Sequence, residues 1–271
     1  MTTAHSPGTA EAGGPHRAAL VTGGTSGIGL AVVTRLARRG IPVYLCARTE
    51  ESVSSTVKGL REQGLEVDGR AADVRSGDSV RALVGAAVER YGPITVLVNN
   101  AGRSGGGRTA QITDELWDDV IETNLSSVFR VTREVLANGG LEGRDGGRII
   151  SIASTGGKQG VPFGAPYSAA KGGVISFTKA LAKELAPTGV TVNAVCPGYV
   201  ETPMAVRVRE SYASTRHLSE EEVLTEFHAK IPLGRYSTPD EVAGLVDYLV
   251  TDTAASITAQ ALNVCGGLGI F

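Results

Sequence analysis

The sequence predicts an α/β protein: a single domain built on a doubly wound, seven-stranded parallel sheet with helices on both faces. Three observations carry that prediction. Short apolar runs alternate with amphipathic stretches from residue 18 to the end of the chain. Each strong run is almost continuously apolar for four to six residues, as strands covered on both faces require. No shift in composition marks a second domain, so strand and helix alternate within one body closed by right-handed crossovers.

The first run is AALVTG (18–23), followed by a stretch of helical period over 27–39. There Ile28, Val32, Val33, Leu36 and Ala37 form one stripe, and Gly40 with Pro42 stops it. PVYLCAR (42–48) is the second strand, and LEVDGRAADV (65–74) is a weaker third. A helix over 76–92 has Ser76 as its N-cap and Gly92-Pro93 as its terminator. TVLVNNAG (95–102), RIISIAS (148–154) and VTVNAVCPG (190–198) continue the sheet. TPDEVAGLVDYLVTD (238–252) opens a helix with a Thr cap, an early Pro and acidic residues near its positive end, and QALNVCGG (260–267) is the last strand.

Composition narrows the function. The 271 residues include 36 glycines, about 13% against an average of ~7%, without any repeat, which points to tight turns and close backbone approaches. A net charge of -2 offers no basic excess for nucleic acid. No apolar run reaches the ~18–20 residues of a bilayer span, so no membrane is expected. Residues 1–16 lack large apolar side chains and read as a disordered tail, not a secretory signal, ahead of a domain over 17–271. Cys46, Cys196 and Cys265 are far apart, have no metal-ligand spacing and read as small hydrophobes in a reducing cytoplasm.

Ligands of such sheets bind beyond the carboxyl ends of the strands. The first strand runs into TGGTSGIG (22–29), where Gly23, Gly27 and Gly29 let backbone N–H groups approach a pyrophosphate at a helix N-terminus. An acidic residue about 20 positions on would accept a ribose 2′-hydroxyl. Arg48 stands there instead, nineteen residues after Gly29. A guanidinium pairs with a 2′-phosphate, so the expected cofactor is NADPH, with Thr25 and Ser26 as supporting donors.

The fifth run ends in Ser154, and Tyr167 and Lys171 follow at i and i+4 on a segment of helical period, hence on one face. Reducing a ketone needs a proton donor for the developing alkoxide. A phenol near pKa 10 can serve once a neighbouring ammonium makes it more acidic. Ser154 can hold the same oxygen. None of the four histidines follows a strand end, so a Ser-His-Asp hydrolase lacks its base, and no cluster suits a metal.

With these motifs together, and with DV (73–74), NNAG (99–102), Asn124 and PGYVETP (197–203), the sequence resembles the short-chain dehydrogenase/reductase family from Ala18 onward. The resemblance implies a Rossmann-type fold and a homotetramer. It implies that Tyr167 is the proton donor, that Ser154 binds the substrate oxygen, and that Lys171 holds the ribose and tunes Tyr167. Asn124 would break a helix locally and anchor a relay water. Asp73 and Val74 would face the adenine, Asn99 the ribose, and Val200 with Thr202 the carboxamide; Ile28, Gly102, Tyr167, Pro197 and Gly198 complete the implied cofactor set. For the tetramer, Trp117, Val120, Ile121, Leu125, Val128 and Phe129 offer an apolar stripe.

RSGGG (103–107), STGGKQGV (154–161), PGYVETPMAVRVRESY (197–212) and QALNVCGGLG (260–269) are similar to ketoreductases of bacterial aromatic (type II) polyketide synthases, of the actinorhodin type. That subfamily implies reduction of one carbonyl, usually at carbon nine, of a poly-β-ketone tethered to an acyl carrier protein. Ser104, Gly105, Gly106, Thr155, Gln159, Val161, Phe163 and Tyr212 correspond to its substrate pocket. Ser104 replaces a Pro, Pro162-Phe163 replace smaller or polar residues, and Arg216 replaces an aromatic, which bears on chain length and stereochemistry. A lid is expected over 204–236. Arg48, Arg75 and Arg103 after strand ends form a basic cluster for the acidic carrier. Alternatives are a fatty-acid 3-oxoacyl-carrier-protein reductase, an enzyme of small polyols, sugars or steroids, and a non-catalytic dinucleotide sensor.

Overall fold

A computed structural model describes residues 17–269; the tail read over 1–16 lies outside the described residues. Seven parallel strands form one sheet: β1 (Ala19–Thr22), β2 (Val43–Ala47), β3 (Val67–Ala71), β4 (Val96–Asn99), β5 (Arg148–Ile152), β6 (Thr191–Pro197) and β7 (Ala261–Val264). Their order is β3-β2-β1-β4-β5-β6-β7. The order reverses between β1 and β4, and the crevice at their carboxyl ends is where this topology admits a ligand.

The helices follow from the same periodicities. They are α1 (Gly27–Arg38), α2 (Glu50–Arg61), α3 (Gly77–Tyr91), α4 (Asp114–Ile121), α5 (Ser127–Asn138), α6 (Gly156–Gln159), α7 (Ala165–Leu185), α8 (Pro203–Arg216), α9 (Glu220–Ala229) and α10 (Pro239–Leu249). Alternation along β1 sends Ala19 and Val21 to one face and Leu20 to the other. On the first face they meet Val32, Val33 and Leu36 of α1, Val53 and Val57 of α2, and Val242 and Val246 of α10. On the second, Leu20 and Leu97 meet Val80 and Leu83 of α3, Val131 and Val135 of α5, and Leu181 and Leu185 of α7. Side-chain hydroxyls cap most N-termini: Thr49, Ser76, Thr113, Thr202, Ser219 and Thr238 each accept from a backbone N–H of the first turn.

The weak third strand is real, and its weakness has a cause. It is the sheet edge, so its side chains are mostly half-buried and its pattern less apolar. β5 ends at Ile152, two residues before Ser154, which places Ser154 in the turn beyond the sheet. The expected lid is the helix pair α8 and α9, closed over its own apolar cluster of Ala213, Val223, Phe227, Ile231 and Tyr236. A single bridge between Val200 and Ser237 joins its two ends.

The apolar stripe expected at an interface is largely spent inside the chain. Val120 and Val128 are buried, and Ile121 and Leu125 are half-buried. Trp117 and Phe129, 42% and 45% exposed, are the members that reach solvent. No helix of the described residues is long and apolar enough to cross a membrane.

Candidate active site

The glycine loop between β1 and α1 is held from both sides. Thr22 Oγ1 accepts from the backbone N–H groups of Asn100 and Ala101, each at 3.0 Å. The Asn100 amide donates to the carbonyls of Thr22 (2.9 Å) and Gly23 (3.0 Å), while Gly24 N–H donates to the Cys46 carbonyl. Gly29 is obligatory, because a Cβ there would stand 2.1 Å from the Gly23 carbonyl oxygen. Ser26, the N-cap of α1, makes no side-chain capping bond, and the first turn carries no acidic residue. Its N–H groups and positive dipole end are therefore open to an anion. Thr25 and Ile28 are half-buried beside the exposed Ser26.

Arg48 is exposed immediately after β2, and its charge helps hold the Asp73 carboxyl below its usual range, behind the larger effect of hydrogen bonds from Arg75. Thr202, which caps α8, lies against the loop: its Cγ2 would be 3.1 Å from a Cβ on Gly27. A cradle too tight for side chains, an uncapped helix end and an exposed guanidinium fit a phosphorylated dinucleotide. Those residues could hold one.

Ser154, Tyr167 and Lys171 are brought together by the packing of α6 on α7. Gly157 permits it, since a Cβ there would press within 2.5 Å of the Lys171 backbone. Ser154 Oγ accepts from Gly156 N–H at 3.0 Å. Burial pushes the Tyr167 phenol above its ordinary value, and a hydrogen bond with Ser154 works in the opposite direction. Burial also pulls the Lys171 amine down to about 8. The amine sits 5.8 Å from the centroid of the Tyr167 ring and donates to the Ile152 carbonyl at 2.7 Å. An ammonium deprived of water takes the nearest strong acceptor, here the last carbonyl of β5.

Asn124 is fully buried in a π-helical turn, Glu122–Ser126, so the helix widens there rather than breaking. Its side chain accepts from Arg103 N–H (3.1 Å) and donates to the carbonyls of Arg103 (3.0 Å) and Val120 (2.9 Å). Gly102 keeps the centre open, because a Cβ there would lie 2.8 Å from Asn124 Oδ1 and 3.6 Å from Lys171 Nζ. The four residues therefore share one site.

Two loops frame its mouth. Gly107 N–H donates to the Phe163 carbonyl at 2.7 Å, and Gly105 packs on Val120. Ser104 is half-buried, while Gly106, Gln159, Val161 and Phe163 are exposed. Phe163 is 62% exposed and adopts φ +61, a conformation that is costly for an aromatic residue.

Asn99 is buried on the face covered by α5 and donates to Thr132 Oγ1 at 2.9 Å, because alternation along β4 turns it there; its neighbour Asn100 serves the loop instead. Val74 packs with Val80 and Leu83. Thr155 is buried, and its backbone N–H and hydroxyl both donate to the Pro197 carbonyl. Gly198 donates its N–H to Val264, and Val200 is buried against the first-face core. Tyr212 lies within the α8–α9 cluster, edge-on to Phe227. Sequence reasoning missed Thr22 and Asn100, whose signal was their place at the ends of β1 and β4 beside the switch point.

The profile of the short chain dehydrogenase family matches residues 17–213. A protein of Streptomyces virginiae, named as a ketoacyl reductase of a monensin polyketide synthase, is 69% identical over 255 residues, 94% of this chain and 98% of that one. A granaticin polyketide synthase ketoacyl reductase of Streptomyces violaceoruber is 60% identical over 270 residues, 99% of each. A crystal structure of an actinorhodin polyketide ketoreductase variant with NADPH superposes with a TM-score of 0.92 at 61% identity, covering 94% of this chain and 98% of that one. The sheet order agrees with these likenesses, and the chain belongs to the short-chain dehydrogenase family.

Proposed function

We propose that this chain is an NADPH-dependent ketoreductase that reduces one carbonyl, at carbon nine, of a poly-β-ketone tethered to an acyl carrier protein, in aromatic polyketide biosynthesis. The observation that carries the reading is the hydrogen-bonded pair Ser154–Tyr167 with Lys171 beneath it, at the open end of the crevice next to the glycine cradle. Relatives at 60–69% identity with polyketide ketoacyl reductase names support the substrate class.

NADPH, when bound, supplies the hydride that reduces the carbonyl carbon. Ser154 and Tyr167 hold the carbonyl oxygen between two hydroxyls. Tyr167, kept protonated by burial, delivers its proton as negative charge develops on that oxygen. Lys171, largely charged below pH 8, stabilises the phenolate left behind. Asn124 fixes Arg103 and thus the floor of the mouth, where Ser104, Gly105, Gly106, Gln159, Val161 and Phe163 meet the chain of the ketone. Arg48 receives the 2′-phosphate. The helix pair α8–α9 acts as the lid, Trp117 and Phe129 supply part of a tetramer contact, and a cytoplasmic setting belongs to the same reading.

NADPH oxidation measured with trans-1-decalone and with an acetoacetyl thioester tests it. Faster turnover of the bicyclic ketone is expected. Preference for the thioester would favour a fatty-acid 3-oxoacyl reductase, and NADPH binding without turnover of any ketone would leave a dinucleotide sensor. Placement in a pathway that makes a defined octaketide reads the carbon reduced.

A further inference from the structure

α8 is anchored by a charge where an apolar side chain would ordinarily serve. Its buried residues are Arg209 and Ala213, and the Arg209 side chain is 10% exposed. The guanidinium reaches back along the helix to Glu201, in the turn that precedes it. Nη2 lies 2.9 Å from Glu201 Oε1 and Nη1 3.1 Å from Oε2, a two-bond fork. The same guanidinium lies 5.5 Å from the centroid of the buried Tyr236 ring. That ring stacks at 5.3 Å on Tyr199, at the far end of the same turn.

Glu201 stands between the two residues expected at the nicotinamide carboxamide. Its backbone N–H donates to the Ser237 carbonyl at 3.0 Å, and Val200 bridges to Ser237. Thr202, next along, donates to the Val200 carbonyl at 3.3 Å and lies against Gly27 of the cradle. The turn 199–202 thus meets the cradle on one side and, through Glu201, α8 on the other. A buried ion pair is weak support for stability, since desolvation offsets much of its attraction. A planar fork instead fixes direction, and here it sets one angle between α8 and the turn.

We propose that Arg209 is a positioning residue for the nicotinamide end of the cofactor. Acting through Glu201, it holds Val200 and Thr202 against the cradle, so the set of the α8–α9 pair and the seat of the reacting ring are fixed together. This rests on the NADPH seat proposed above. The adenosine end, assigned to Arg48 and Asp73, shares none of these contacts.

The experiment measures Kd in the full chain for NADPH and for 2′,5′-ADP, which carries the adenosine end and the 2′-phosphate without the nicotinamide. Arg209→Met keeps the apolar stem and removes the fork, and Glu201→Gln removes its charged acceptor. Each should weaken NADPH roughly three- to thirtyfold, the span of a coupling network, and leave 2′,5′-ADP within about twofold. The double variant should match the singles, because both act through one fork. The kcat should fall for trans-1-decalone and for a smaller cyclic ketone alike, since the reacting ring is misplaced. A rise in KM for the bulky ketone alone, with NADPH affinity unchanged, would make Arg209 a lid support and overturn the proposal. Equal weakening of NADPH and 2′,5′-ADP would mark general loosening and overturn it too. If the parent binds neither ligand, the cofactor reading itself fails; unchanged Kd values in variants of a parent that binds NADPH sink the positioning role alone. Where Arg209→Met melts below the working temperature, the half-exposed Glu201→Gln carries the same comparison.

Discussion

Gly106 and Phe163 belong to different loops, yet the Phe163 carbonyl oxygen lies 2.0 Å from the point where a side chain on Gly106 would begin. With Gly107 N–H donating to the same oxygen, this contact holds Phe163 in its left-handed conformation and joins the two lips of the mouth.

Gly106→Ala should therefore part the lips. The expected outcome is a fall in kcat/KM for bulky ketones larger than the fall for small ones, with a lower melting temperature, measured by steady-state NADPH oxidation and thermal denaturation. Equal losses on large and small ketones would separate the contact from substrate selection.

Tyr167→Phe removes the proton donor while keeping the ring. Turnover of trans-1-decalone should drop roughly 10²–10⁴-fold, the range of a general acid. NADPH affinity, measured by fluorescence titration, should remain within a small factor, because the cradle around Gly29 and Arg48 is untouched.

The Lys171 amine predicts two pH effects. Its value falls from an unfolded 10.5 to about 8 in the fold, so between those values the unfolded chain binds more protons than the folded one. Its contribution to stability therefore rises as pH increases from about 8 toward 10.5, and Lys171→Met should flatten that part of the stability profile. Activity moves oppositely. Ketone reduction should decline as pH passes about 8, where the ammonium is lost, while burial keeps Tyr167 protonated.

Arg48→Asp replaces the guanidinium that follows β2 with a carboxylate. KM for NADPH should rise roughly tenfold or more, on the scale of a lost charge-assisted hydrogen bond, while KM for NADH changes far less. Equal losses for both cofactors would remove Arg48 from 2′-phosphate recognition.

Much of this protein is legible in its sequence because the signals are local. Near-continuous apolar runs such as RIISIAS read as strands covered on both faces, and the stripe from Ile28 to Ala37 reads as a helix on a sheet; both are so in the fold. Tyr167 and Lys171 fall on one helix face by spacing alone, and the glycines of 23–29 announce a close backbone approach before any contact is seen. What the tertiary structure decided depends on residues distant in sequence. Asn100, not Asn99, braces the glycine loop, because strand alternation and the β1–β4 neighbourhood select which amide faces it. Lys171 turns to the Ile152 carbonyl because burial removes its water, and Asp119 gathers Arg75 and Arg103 because three chain segments meet there. Periodicity and residue type are written along the chain; which polar group satisfies which is settled by folding, when water is withdrawn and each buried donor must find an acceptor.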